Sequence, residues 1–364
     1  MAPAAVRVLV NTVLPVLVFP TIAVVAANVI FGQLFSSGAA LHMAQQCDPL
    51  HPSYSAGLNA LSFTGVPGID GKLCGLVTFF HALLIPDNLP FNLELFSTLA
   101  VISVIPFIEA ARNGRSLPLA LPAVVGILFQ LGTVGVIYPV YWFIFLISGA
   151  AFKSQTSSKT KAGRKPAGWV DTTINYSHAQ AILFSVFVGY IIPTVGMFVL
   201  NDPYVTAIWQ PFPVWMSLAQ FVHRQFSRGT ESGHDIVRNT YFLLFLASFT
   251  AHSFYIWPLM LNDHETLQHL FTPTLIRSAA EAKLFSFEDS VLNFILWDAG
   301  FAAISTLVAS FWLAASFTQL LALAVWWVVA PLAFGPGAAI AGVFMWRENV
   351  LNGGAEAEEK VKVD

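Results

Sequence analysis

The chain has 364 residues, 56% of them hydrophobic and 10% charged, with 32 Phe, 10 Trp and a mean hydropathy of +0.69. Soluble domains carry about 25% charged residues, so this composition excludes a soluble globule and predicts an all-α, polytopic transmembrane helical bundle. The net charge of −3 carries no message about partners, and nothing resembles a basic nucleic-acid face; the expected surroundings are the lipid bilayer.

Met1 to Phe31 holds one Arg and then an apolar run too long for a signal-peptide core, and reads as a first span. Windows of spanning length follow at 93–111, 179–200, 237–261, 290–313 and 318–346. The stretch 119–150 is long for one helix, with a break suggested at Gly132-Thr133-Val134-Gly135. The stretch 205–222 contains Pro211 and Pro213 with Trp209 and Trp215, which suits an interfacial or re-entrant segment as well as a span.

Charge asymmetry guides the choice among these readings, because cytosolic loops are enriched in Lys and Arg. Splitting 119–150 into two short spans and laying 205–222 along the far interface gathers most of the basic residues on one side, Arg277 and Lys283 among them. This arrangement has about 8 spans, with 7 to 9 allowed, in a single transmembrane domain. Residues 34–92 are then an expected lumenal loop, 153–178 a basic cytosolic loop and 347–364 a cytosolic tail. Lys360 and Lys362 match a dilysine address for the endoplasmic reticulum. Cys47 and Cys74 share the lumenal loop, where they either pair or remain separate thiols. Asn175-Tyr176-Ser177 is a glycosylation sequon that this topology leaves cytosolic.

The motifs of several enzyme classes are missing: the phosphate-binding loop, H-E-x-x-H, C-x-x-C, and the aspartate-rich runs that hold a diphosphate through metal ions. The expectation is therefore no metal and no cofactor. Polar residues inside the apolar windows remain. Asp298 lies near the centre of Ser290 to Phe317, otherwise uncharged, at an insertion cost of about 3 kcal/mol. Such a group is either a general acid or an interhelical hydrogen-bonding residue. Desolvation favours its neutral form, which can protonate an epoxide or alkene in a dry cavity whose aromatic faces stabilise the cation formed. Glu109 is a second candidate acid, or an i,i+3 ion-pair partner of Arg112. His252, Trp297, Gln130, Tyr138 and Tyr141 are the expected substrate-binding residues, each with packing as its plainer alternative. The same groups suit a proton-coupled small-molecule transporter, and a noncatalytic scaffold needs only their structural roles.

Several segments are distinctive together: Ser62 to Cys74, Phe79-Phe80-His81, Phe107 to Arg112, Tyr138 to Trp142, Gly335-Pro336-Gly337 and Arg347-Glu348. They resemble fungal integral-membrane meroterpenoid terpene cyclases of the macrophorin and ascochlorin/ascofuranone type, over residues 60 to 348. The resemblance implies an isomerase- or lyase-type enzyme of secondary metabolism. Its substrate would be an aromatic core carrying a farnesyl chain, epoxidised beforehand, and its pathway neighbours an epoxidase and a prenyltransferase. Cyclisation would begin by protonation, without diphosphate loss.

Overall fold

The computed structural model describes residues 8–48, 50–52, 62–112, 115–151 and 173–363, with side chains to Asn352. Among these residues there is no strand; a single antiparallel bridge joins Asn175 to Ser232. The helices are α1 (Leu9–Ser36), α2 (Ala39–Cys47), α3 (Pro67–Leu83), α4 (Pro86–Ala110), α5 (Pro122–Gly132), α6 (Val134–Ile147), α7 (Tyr176–Leu200), α8 (Pro203–Trp209), α9 (Phe212–Phe226), α10 (His234–Asn262), α11 (His264–Phe271), α12 (Phe287–Leu313), α13 (Phe317–Phe334) and α14 (Pro336–Val363). Six of them, α1, α4, α7, α10, α12 and α13, are long and apolar enough to cross a bilayer. The protein is an all-helical membrane bundle, with a span count near the expected eight only in approximation.

Contacts at the helix ends sort the connections into two faces. At the face where α1 begins, the Trp312 indole N–H donates to Val10 O at 2.9 Å, which brings the end of α12 beside the start of α1. The end of α4 and the middle of α14 meet there through Glu109 and Arg347. The start of α7 meets the end of α9 through Ser177 Oγ and Ser227 O, 2.7 Å apart. At the other face the Gln33 amide, near the end of α1, accepts from Ile276 N–H at 2.8 Å. His42 of α2 lies 4.3 Å, ring centroid to centroid, from Phe287 of α12. His81, near the end of α3, meets Thr206 of α8 at 3.2 Å. A Cys47–Cys74 disulfide ties α2 to α3 here, so the two are called the terminal face and the disulfide face.

This sorting corrects the expected topology at two places. The window 318–346 does not cross as one helix: it breaks at Gly335, and α13 and α14 form a hairpin whose outer ends both lie at the terminal face. The segment 205–222 does not lie along an interface. It forms α8 and α9, a broken helix running inward from His81 at the disulfide face and out beside Ser177. Each change reverses the sense of the helices between them, so α10 ends, and α12 begins, at the disulfide face. Arg277 and Lys283 therefore join Lys72 at the disulfide face, whereas Arg112, Arg115, Arg224, Arg228, Arg238 and Arg347 lie at or near the terminal face. The basic cluster Lys153 to Lys165 falls outside the described residues.

Within residues 34–92, the expected lumenal loop, lie α2 and α3. Ahead of α3, the Asp70 carboxylate accepts from the Thr64 amide and hydroxyl at 2.7 Å and from Ser62 Oγ and Gly65 N at 3.0 Å. Gly65, at φ +78°, makes the turn that allows this. The stretch 119–150 breaks where the sequence suggested, between Gly132 and Val134, with Thr133 at φ 66°. Its halves of 11 and 14 residues are about 16 and 21 Å long, each short of a bilayer. In place of the two short spans expected there they form a shorter hairpin, whose outer ends meet where Arg115 donates to Ala150 O at 3.3 Å.

Candidate functional site: three interrupted helices and an acid–imidazole couple

A helix that breaks inside a bilayer exposes backbone groups where no water can meet them, and other side chains must do so. Most of the expected site residues perform this task. Asp298 Oδ1 accepts from Gly135 N–H at 2.5 Å, filling a vacant donor at the start of α6. Gly135 is required there, because a Cβ would lie 2.5 Å from Asp298 O. The Gln130 amide donates to Gln210 O at 2.7 Å, in the gap between α8 and α9. Tyr138 OH donates at 2.6 Å to Ile102 O, whose intrahelical donor would be residue 106, a proline without an N–H. Trp297 donates to Thr274 O at 3.2 Å in the irregular segment before α12. Tyr141 is buried, its hydroxyl without a hydrogen-bond partner, and stacks on Tyr138 at 5.7 Å.

Glu109 is surrounded by cations. Arg112 Nε donates to Oε1 at 3.1 Å, Arg347 grips both oxygens and Arg115 donates to Oε2, while Arg112 also pairs with Glu348. The ion pair expected with Arg112 is present and is one bond of a five-member cluster joining α4 to α14. A carboxylate so occupied is an acceptor without a spare position, which argues against the role of acid. Asp298 and Glu109 do not share a cavity: they lie at opposite ends of α6, about 20 Å apart along its axis.

The third interruption is different. Pro336 has no N–H, so Leu332 O loses its intrahelical donor, and His252 Nε2 takes that place at 3.1 Å. A carbonyl only accepts, so Nε2 carries the hydrogen. His252 Nδ1 lies 3.1 Å from Oε2 of Glu94, on α4. A bare Nδ1 against a bare carboxylate would oppose two lone pairs, so this contact holds one hydrogen, on the imidazole or on the carboxyl. Glu94 Oε1 is buried and has no partner. Both residues are 4% exposed. Gly335, at φ +90°, is again a necessity: a Cβ would lie 2.4 Å from Glu94 Oε1 and 3.1 Å from the His252 ring. A five-residue π-turn in α10 begins at His252, a widening that often accompanies functional positions. Next to the break, Phe334 packs on Phe245 and Phe249, which in turn meets Trp257.

The sequence reading singled out His252 and missed Glu94, which lies two residues inside the window 93–111. The available signal was the same as for Asp298, an acid within an apolar run, here Leu93-Glu94-Leu95-Phe96.

Fold and site together define an all-helical membrane protein with a dry acid–imidazole couple among aromatic side chains. The sequence model of the CtvD domain family matches residues 12–352, and the chain belongs to that family. It is similar to "Terpene cyclase ascI" of Acremonium egyptiacum, with 28% identity over 172 residues. The aligned part covers 44% of this chain and 42% of that relative. No solved structure matches.

Proposed function

We propose that this protein is a membrane-bound terpene cyclase of the endoplasmic reticulum, acting on a meroterpenoid precursor with an epoxidised farnesyl chain. The observation that carries the reading is the Glu94–His252 couple, a buried carboxyl–imidazole pair with one carboxyl oxygen unpartnered. The similarity to a protein named as a terpene cyclase supports it. In the proposed step the couple gives its proton to the epoxide oxygen. As the carbon–oxygen bond breaks, the electron pair of a neighbouring alkene forms the new carbon–carbon bond, and the positive charge moves along the chain. Aromatic faces such as Phe334 and Phe249 stabilise that charge, and the absence of water keeps it from being quenched. Loss of a proton from carbon to the couple ends the sequence. Product and substrate are then isomers, and the cycle uses no metal or redox partner.

Interrupted helices near mid-membrane also favour a second reading, a proton-coupled carrier. A carrier produces nothing in detergent, where no gradient exists. The decisive experiment is to incubate the purified protein in detergent with a panel of farnesylated phenolic epoxides. A ring-closed isomer is expected. Unchanged substrate throughout the panel would remove the cyclase reading.

A further inference from the structure

At the disulfide face, a cavity of about 390 Å³ opens between α11, the connection before α12 and the first turns of α12. It has two kinds of wall. Leu292 and Leu296, one turn apart on α12, supply an apolar floor together with Phe285, and Gln268, His269 and Asp289 supply hydrogen-bonding groups around it. Asp289 uses Oδ2 in the capping box with Ser286, leaving Oδ1 3.6 Å from His269 Nε2. An apolar floor below a polar rim fits a flat ring bearing hydroxyl groups.

One ring contact leads from the cavity wall to the helix of the acid. Its lining residue Thr272 follows Phe271, which meets Phe91 of α4 edge-on at 5.6 Å. Glu94 is the next turn along the same side of α4, about 4.5 Å deeper from the disulfide face. The Phe271–Phe91 pair thus links an element that lines the cavity to the helix that carries the acid. An acid that attacks the far end of a prenyl chain requires this order, with the ring at the mouth and the chain end at the bottom.

We infer that this cavity holds the hydroxylated aromatic head of the substrate, whose chain passes Phe271 and Phe91 to reach Glu94. This rests on the cyclase reading. The two native cysteines are joined to each other, so a cysteine placed at the cavity floor is the one reactive thiol. Leu292→Cys, with Leu296→Cys as a second position, is treated with a maleimide in the presence and absence of a farnesylated phenol lacking the epoxide. Leu261→Cys, on an exposed side chain at the end of α10, serves as the reference. Loss of labelling at a floor position with the reference unaffected is expected. Unchanged labelling at both floor positions, at probe concentrations that compete with turnover in the wild type, would overturn the subsite and leave the cyclase standing. Protection in a protein that forms no cyclised product would do the reverse: the subsite stands and the reaction falls.

Discussion

Asp298 and Glu94 are both carboxyl residues at breaks inside the membrane, and they differ in what is left over. At the start of α6 the acid itself meets the exposed backbone group, and Gly135 packs tightly against it. At the Gly335 break, His252 meets the backbone and the acid stands behind it with Oε1 unpartnered. Depth and burial are alike, so neither marks the reactive group. Spare hydrogen-bonding capacity distinguishes them.

The comparison breaks most visibly if a saturated acid turns out to be essential. Glu109→Gln leaves Arg112, Arg115 and Arg347 buried without their shared anion, and a destabilisation of about 3–5 kcal/mol is expected. Thermal unfolding in detergent measures it, and the fraction that remains folded should keep its activity per molecule. Next in size is a paired test of turnover. Glu94→Gln removes the transferable proton and should lower kcat by about 100-fold or more with little loss of folded protein. Asp298→Asn keeps an oxygen for Gly135 N–H and should stay within a few-fold of wild type. Equal losses in the two variants would erase the distinction drawn between them. The smallest effect concerns Asp70, a half-buried carboxylate saturated by its turn. The Thr64 hydroxyl foremost, then the Thr64 amide, Ser62 and Gly65, hold its carboxyl below the ordinary 3.8, with desolvation opposing them. Its folded value is depressed, so its contribution is complete above 3.8 and disappears as pH falls through the folded value. The Thr64 and Gly65 amide resonances should therefore stay in place down to that pH and shift only beneath it.

Composition was enough for the fold class, because a chain with so few charges has few soluble options. The break at Gly132-Thr133 was also legible, since glycine and an over-long window mark it directly. The break at Gly335 was hidden within the single window 318–346: nothing in a hydropathy window distinguishes a continuous or bent helix from a hairpin. The membrane crossing of α8 and α9 was hidden by Pro211 and Pro213, which also suit an interfacial turn. At the site, Asp298, His252, Gln130 and Tyr138 stood out as polar groups in apolar surroundings. Their partners did not, because they are backbone atoms freed by breaks and prolines on other helices. Such partners leave no side-chain pattern to match. Glu94 was inconspicuous at the edge of a window, and its importance depends on an unpartnered carboxyl oxygen that only three-dimensional contacts reveal.

The three repaired breaks also constrain the order in which the chain can be built. Gly135 is separated from Asp298 by 163 residues, and Gln130 from Gln210 and His252 from Leu332 by 80 each. A ribosome releases the α5–α6 hairpin long before α12 exists, so the start of α6 must wait at the membrane with an uncapped donor. A nascent chain stopped before α12 should be held by the insertion machinery or its chaperones, and one extended past Asp298 released.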